Sequence, residues 1–223
     1  MIDDDGSEMT QHTERTRDAL LRSAEELFAR EGVEAVSNRR IAEHAGAANH
    51  SAVAYHFGSR DDLLRALLER DRDRMALRRD ELDRELGRGA SMHDVITARI
   101  LPWIELLAEQ PTPSWRARFL EQVSALPEGA ALLRENAIAA AGLDDLLDRD
   151  AFTDVDLAPS VRRARAGIVG AMVLRACAEY EQRREDGTAE GDWLAMGYFL
   201  IDAATGLVTA PATPRADFVR SRL

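Results

Sequence analysis

The chain has 223 residues, of which 45% are apolar, so it can bury a sizeable core and wholesale disorder is excluded. Aromatic residues make up 5%, which argues against a many-stranded sandwich or barrel. The longest purely apolar runs hold nine residues, whereas a membrane-spanning helix needs about 20. The start, MIDDDGSEM, lacks a signal-peptide core, and a single cysteine, Cys177, excludes an internal disulfide. We therefore expect a cytoplasmic protein without a membrane segment.

The charge of the chain is unevenly distributed. The formal net charge is −11, and all 29 basic residues are arginines, because the sequence contains no lysine. Residues 1–9 carry four acids and no base, and residues 61–223 carry 22 arginines against 29 acids. Residues 10–60 are neutral, with seven arginines against seven acids. Because the acidity lies outside this first segment, a local DNA-binding face is compatible with the composition.

The N-terminal part of the sequence predicts three short helices after a disordered acidic arm over residues 1–9. Apolar residues recur at helical spacing from Thr13 to Arg30. Ser37 is the expected N-cap of a second helix that ends at Gly46, and Asn49 or Ser51 caps a third. Three helices joined by tight turns are typical of a helix-turn-helix unit, and we call residues 10–60 the head.

The remainder of the chain also predicts helices, so the expected fold class is all-α. Ser59 and Asp62 form an acidic capping box that begins a long fourth helix, which continues to about residue 88. We call residues 61–210 the body and residues 211–223 the C-terminal tail. Further helices are predicted at 91–109, 114–126, 128–148, 158–186 and 190–209.

The last two predicted helices contain stretches without any polar face, residues 166–174 and 193–201. A helix that is apolar all round has to be buried on all sides, so we expect these helices to pack against a second copy in a homodimer. The alternative is that they form the core of one larger domain without a partner. The predicted dimer interface consists of small and aliphatic residues: Gly167, Gly170, Ala171, Leu174, Gly197, Ile201 and Ala204.

Residues 37–64 give the strongest functional signal. A helix that enters the major groove needs small residues and a few polar groups at its start, flanked by cations that bind phosphates. Tyr55 and His56 either bind phosphate or plug the core, and both interpretations stay open, whereas Val53 and Phe57 are expected in the core. The candidate DNA-binding residues are Ser37, Arg39, Arg40, Asn49, His50, Ser51, Ala54, Tyr55, His56 and Arg60.

The segment from Leu20 to Leu64 resembles the N-terminal domain of the TetR family of bacterial transcriptional repressors. The resemblance rests on short patterns in the family's order: Leu27-Phe28, Glu31-Gly32, Ile41-Ala42, Ala45-Gly46, Tyr55-His56-Phe57 and Ser59-Arg60. The turn before the third helix is one residue longer than the common family form, and Val53-Ala54 replaces the common Leu-Tyr. These departures indicate a sub-branch with Asn-x-Ser-Ala-Val at the recognition helix.

The resemblance implies a homodimer that reads a pseudo-palindromic operator and releases it when the body binds an effector. We expect a mostly apolar pocket for a small hydrophobic molecule, without a cofactor. Aromatic residues at helical spacing are also typical of a core, and that alternative stays open. The candidate effector-binding residues are Trp103, Trp115, Phe119, Met172 and Tyr180.

The sequence leaves three alternative classes of function. No Gly-rich phosphate loop, nucleophile elbow or His-Glu-x-x-His motif is present, and His93-Asp94 at a helix start is more typical of a cap than of a catalytic pair. We therefore expect no enzyme. A metal site formed by His44, His50 and His56 conflicts with a tip that faces DNA. The stronger alternative is a helical protein-interaction module without DNA binding.

Overall fold

A computed structural model describes residues 4–87, 89–136 and 158–213 of the chain. These ranges contain no strand, which confirms the all-α prediction, and no helix in them is both long and apolar enough to cross a membrane. Most of the predicted helix 128–148 and most of the tail lie outside the described residues. The helices are α1 (Asp4–Glu31), α2 (Asn38–His44), α3 (Ala52–Phe57), α4 (Arg60–Glu69), α5 (Arg72–Glu85), α6 (Met92–Ala108), α7 (Arg116–Ser124), α8 (Gly129–Glu135), α9 (Pro159–Glu185) and α10 (Trp193–Thr209).

The first helix begins nine residues earlier than the predicted start at Thr13. The structure gives helix from Asp4, so the predicted disorder over residues 1–9 is wrong for residues 4–9, and residues 1–3 lie outside the described part.

The head folds as the sequence predicts because its helix ends are specified locally. The Ser37 side chain accepts a hydrogen bond from the Arg40 amide at 3.2 Å and begins α2. Gly58 ends α3 at a positive φ of 83°, a conformation that favours glycine. Apolar residues from α1, α2 and α3 fill one continuous core: Leu20, Ala24, Leu27, Phe28, Ile41, Ala42, Ala52 and Val53.

The predicted long fourth helix is interrupted. The Ser59–Asp62 capping box is present and begins α4, but α4 ends at Glu69 and α5 begins at Arg72. The two residues of the break, Arg70 and Asp71, form ion pairs with side chains from other helices. The helix therefore breaks at the two residues that form long-range ion pairs. Such pairs cannot be predicted from the local spacing of apolar residues.

In the body, α6 packs against α5 and α10, and α7 packs between α1 of the head and α9. The α6–α10 contact is close because Gly197 leaves space for Ile104: a Cβ atom at position 197 would lie 2.7 Å from Ile104 Cγ2. Helices α9 and α10 are antiparallel neighbours. Arg165 donates to the Val208 carbonyl at one end of the pair, and the rings of Tyr180 and Trp193 contact each other at the other end.

Candidate nucleic-acid interface

The third helix and the turn before it present an open, polar surface. Asn49, His50, Ser51 and Ala54 are exposed, and Tyr55 is 79% exposed. The opposite side of α3 is fixed in the core by Val53, as predicted. The exposure of Tyr55 contradicts the core-plug interpretation for this residue and leaves its ring and hydroxyl available to a partner.

The geometry of this surface follows from local hydrogen bonds. Asn49 Oδ1 accepts a hydrogen bond from the Ser51 amide at 2.8 Å, which fixes the turn that leads into α3. The half-buried His56 contacts Tyr55 edge to face, with ring centroids 5.0 Å apart. His56 therefore supports the Tyr55 ring, while the half-buried Phe57 packs against the core as expected.

The cations of α2 are already paired with acids. Arg39 Nε donates to Glu43 at 2.8 Å, and an Arg40 guanidinium nitrogen donates to Glu31 at 2.7 Å. His50 Nδ1 lies 3.7 Å from the same Glu43 carboxylate. The hydrogen bond from Arg39 holds the pKa of Glu43 below its ordinary value, so this acid is ionised at neutral pH. The predicted phosphate-binding groups Arg39 and Arg40 are thus exposed but neutralised.

Arg60 does not point at the predicted interface. Its guanidinium donates to the Val33 carbonyl and, at 3.3 Å, to Asn38 Oδ1, and it stacks over the Phe28 ring. Burial lowers the pKa of Arg60, as expected for a guanidinium turned away from water. The contacts attach the start of α4 to α1 and α2 and turn Arg60 away from the predicted interface, so its role as a phosphate clamp stays a prediction that this geometry does not favour.

A cation that the sequence analysis missed lies beside α3. The Arg17 guanidinium carbon is 5.1 Å from the centroid of the Phe57 ring, at the C-terminal end of α3. A signal was available, because Arg17 precedes the buried Leu20 and Ala24 by three and seven residues and therefore shares their helix face. Arg17 lies within the predicted head but precedes Leu20, where the resemblance to the family begins.

A buried ionic cluster connects the head to the body. Arg116 of α7 is 1% exposed, and it donates to the Leu67 carbonyl at 2.8 Å and to Glu25 of α1 at 3.3 Å. Arg70 forms a bidentate pair with Glu25, with both distances 2.9 Å, and Asp71 lies 3.2 Å from Arg116 Nε. We call Glu25, Arg70, Asp71 and Arg116 the junction cluster.

The pKa values of the two cations of the junction cluster shift in opposite directions. Burial lowers the pKa of Arg116, and the nearby positive charge of Arg70 adds to this effect. For Arg70 burial acts in the same direction, but the attraction of Glu25 and Asp71 outweighs it and the pKa is raised. Because a guanidinium is not deprotonated in proteins, the contacts among these four side chains form an ion-pair network.

Helix α7 is also held in place by α9, one of the two helices predicted to form the dimer interface. The buried Glu181 of α9 accepts hydrogen bonds from the Ala117 and Arg118 amides at 3.2 and 3.0 Å, and so caps the N-terminus of α7. Arg118 returns the contact by donating to Glu181 at 3.3 Å and to Glu185 at 2.7 Å. Thus α7 connects α9 to the junction cluster.

The predicted effector-binding residues differ in their exposure. Trp103 and Phe119 are fully buried, and Tyr180 is enclosed by Trp193, which favours the core interpretation for these three. Met172 is half-buried against the core. Trp115 is in contact with the guanidinium groups of Arg30 and Arg118, and it borders a cavity of about 520 Å³ between α1 and residues 110–115.

The predicted dimer-interface residues divide into two groups. Leu174, Gly197, Ile201 and Ala204 are buried within the protomer, so their assignment to the interface is wrong: they pack α9 and α10 onto the core. Gly167, Gly170 and Ala171 are exposed or half-buried. Beside them lie the exposed large apolar side chains of the same two helices, which we call the partner surface: Ile168, Leu194, Tyr198 and Phe199.

The structure also places the histidines that were considered as a catalytic pair or as metal ligands. Asp94 forms a capping box with Ser91 at the start of α6, which confirms the cap interpretation, and His93 Nε2 lies 3.2 Å from Asp202 Oδ1. Within the described ranges, no group of three or more histidine, cysteine or acidic side chains is arranged to hold a metal ion. His44 instead lies 3.9 Å from Glu26.

Comparison with known proteins agrees with this arrangement. Residues 20–67 match the profile of the family described as bacterial regulatory proteins, tetR family. The fold is similar to the crystal structure of NalD from Pseudomonas aeruginosa, the secondary repressor of the MexAB-OprM multidrug efflux pump, with a TM-score of 0.53 and 19% identity. That match covers 87% of this chain and 95% of NalD, whereas no curated protein matches the sequence significantly. Residues 20–67 therefore form a tetR-family domain, which consists of the C-terminal part of α1, of α2 and α3, and of most of α4.

Proposed function

We propose that the protein is a sequence-specific transcriptional regulator of the bacterial cytoplasm that represses its target genes as a homodimer. The observation that carries this proposal is the surface of α3: small polar groups at its start, and Tyr55 exposed beside them. Such a helix can approach base edges closely in the major groove. Asn49, His50 and Ser51 are the side chains that we assign to the bases.

The partner surface supports dimerisation. Four large apolar side chains exposed on α9 and α10 would be unfavourable in water, and adjacent antiparallel helices with small residues between them can pack against the same pair of a second copy. The symmetry of such a dimer would place the two α3 helices on successive half-sites of an operator.

We further propose that a small, mostly apolar effector binds in the body and releases the operator. The indole N–H of Trp103 is buried beside the Cys177 thiol, a weak acceptor, and no stronger acceptor lies within hydrogen-bond distance of it in the described ranges. A buried donor with only a weak acceptor is poorly satisfied, so an effector that opens the core around Trp103 and carries an acceptor oxygen would gain from reaching it. The effector acts only if it binds one head orientation better than the other.

The contacts around α7 give such an effector a route to the head. A shift of α9 would move Glu181, which caps α7, and α7 carries Arg116 into the junction cluster. Buried ion pairs tolerate displacement poorly because an unpaired buried charge is costly. A displacement of α7 in the body would therefore also move α1 and α4, because the junction cluster keeps its ion pairs.

Binding to DNA from the gene's own upstream region, measured over a range of salt concentrations, tests the proposal. We expect tight binding with a linear dependence of log K on log salt, since phosphate contacts release counterions. Ser51→Glu, which places a carboxylate against the groove, should abolish specific binding, whereas Thr188→Glu adds the same charge in the exposed α9–α10 loop and should not. Binding without salt dependence, or unaffected by Ser51→Glu, would instead favour a protein-interaction module.

A further inference from the structure

The head has few cations that are free to meet a phosphate. On α2, Arg39 and Arg40 are held by Glu43 and Glu31, and Arg60 is turned into the domain. A guanidinium that already has a carboxylate partner must give up that pair before it binds phosphate, which cancels part of the electrostatic gain. The phosphate contacts of the head are therefore expected to come from cations without an acidic partner.

Arg17 is such a cation, and it lies beside the recognition helix. Within the described ranges no carboxylate lies within ion-pairing distance of it, and its contact is the face of Phe57 at 5.1 Å. A guanidinium that stacks on an aromatic ring keeps its N–H donors directed outward in its own plane. Arg17 is thus oriented by Phe57 while its hydrogen-bonding capacity remains available.

The geometry points to Arg17 as a phosphate-binding residue of the DNA interface, and this inference rests on the proposed function of α3. A helix with its side chains is about 10–12 Å wide, and the major groove is about 12 Å wide, so the phosphate strands run directly beside an inserted helix. Phe57 is the last residue of α3, so the guanidinium that stacks on it lies at the edge of that helix. Arg17 takes the role that the sequence suggested for Arg60.

The test compares Arg17→Gln with Arg17→Lys and with Arg22→Gln. Glutamine keeps much of the side-chain length but removes the charge, and lysine restores it. Arg22 is an exposed arginine of the same helix that borders the cavity facing residues 110–115, so its replacement controls for the loss of one positive charge from α1. Binding of each variant to upstream DNA and to an unrelated duplex of equal length is measured over a range of salt concentrations.

We expect Arg17→Gln to weaken binding to both duplexes by the same factor, because phosphate contacts carry no sequence information. The slope of log K against log salt should decrease by about 1.8 in magnitude for a dimer, since each phosphate contact contributes about 0.9. Arg17→Lys should keep the wild-type slope, and so should Arg22→Gln.

An unchanged slope for Arg17→Gln would overturn the inference, and so would an equal decrease for Arg22→Gln. A lower melting temperature with an unchanged slope would assign Arg17 a packing role on Phe57 alone. These outcomes differ from a failure of the proposed function, in which the wild-type protein itself would show no salt-dependent DNA binding.

Discussion

The Arg116 guanidinium of α7 lies 3.3 Å from the Glu25 carboxylate of α1, and both side chains are buried although 91 residues separate them in the sequence. One end of this pair belongs to the head and the other to the body. Because Arg116 also binds the last-turn carbonyl of Leu67 in α4, a single side chain joins three helices. The orientation of the head on the body depends on this contact.

Replacement of Arg116 by alanine should destabilise the protein strongly. Glu25 and Asp71 would lose a buried cation and Leu67 would lose a donor, and breaking a buried ion pair on one side costs about 3–5 kcal/mol. Urea unfolding monitored by circular dichroism gives the change in free energy of unfolding. The matched control is Arg72→Ala, which removes an exposed cation near the same junction, paired with Glu69 and Asp73, and should cost at most about 1 kcal/mol. Equal effects of the two substitutions would contradict a structural role of the junction cluster.

The junction cluster also shows which features of the fold could not be predicted from the sequence. The caps at Ser37 and Ser59 are specified by neighbouring residues, and these predictions are confirmed. The break at Arg70 and Asp71 involves partners 45 or more residues away, so a local pattern of charges suggested a continuous helix instead.

The prediction of the dimer-interface residues failed for a different reason. In helices that are apolar on all sides, composition does not distinguish the face toward the core from the face toward a second copy. Small residues were assigned to the interface, but Gly197 serves the contact with Ile104 inside the protomer. The orientation of Arg60 was equally beyond local sequence patterns, since an arginine at a helix start can point outward or fold back, as it does here onto Phe28.

The Gly197–Ile104 contact predicts that Gly197→Ala destabilises the fold. The new Cβ would lie 2.7 Å from the buried, β-branched Ile104, and overpacking of this kind costs about 1–3 kcal/mol. Gly167→Ala is the control, because no atom lies within 4 Å of its Cβ position and alanine favours helix by about 1 kcal/mol. Adding Ile104→Ala to Gly197→Ala should cost less than the sum of the single changes in thermal unfolding. Strict additivity would contradict the clash.

The partner surface predicts that Phe199→Asp produces monomers. Phe199 is 65% exposed, and a charge there would be buried without a partner in the proposed dimer. Leu77→Asp is a stringent control, because Leu77 is 66% exposed on α5 and lies outside the partner surface. Sedimentation velocity at micromolar concentration measures the oligomeric state. A dimeric Phe199→Asp variant would place the interface elsewhere.

Removal of the Glu43 carboxylate should strengthen DNA binding. Glu43→Gln would release Arg39 and leave His50 without a nearby acid, so we expect a several-fold gain in affinity for any duplex and a salt slope steeper by up to about one per head. Glu34→Gln changes the net charge equally at another exposed acid of the head. Titration of both variants against one duplex separates the two effects, and an equal gain would assign the change to net charge alone.

The lone cysteine reports on global unfolding. Burial raises the pKa of Cys177 to about 12, so the native thiol is protonated and inaccessible at pH 8. The unfolded thiol ionises near its ordinary pKa of about 8.5, so this residue makes stability fall as the pH rises from there toward 12. Labelling by a thiol reagent should follow the fraction unfolded in urea. Rapid labelling of the native protein would show that the core around Cys177 opens locally.

The burial of the junction cluster has a practical consequence for handling the protein. At 0.1 M salt, dissolved ions screen the interaction between exposed charges over a distance of about 10 Å. They screen buried ion pairs, from which water is excluded, far less. Concentrated salt should therefore detach the protein from a DNA column while the pairing of Arg116 with Glu25 stays intact. Protein eluted in this way should rebind as soon as the buffer is diluted, with no refolding step.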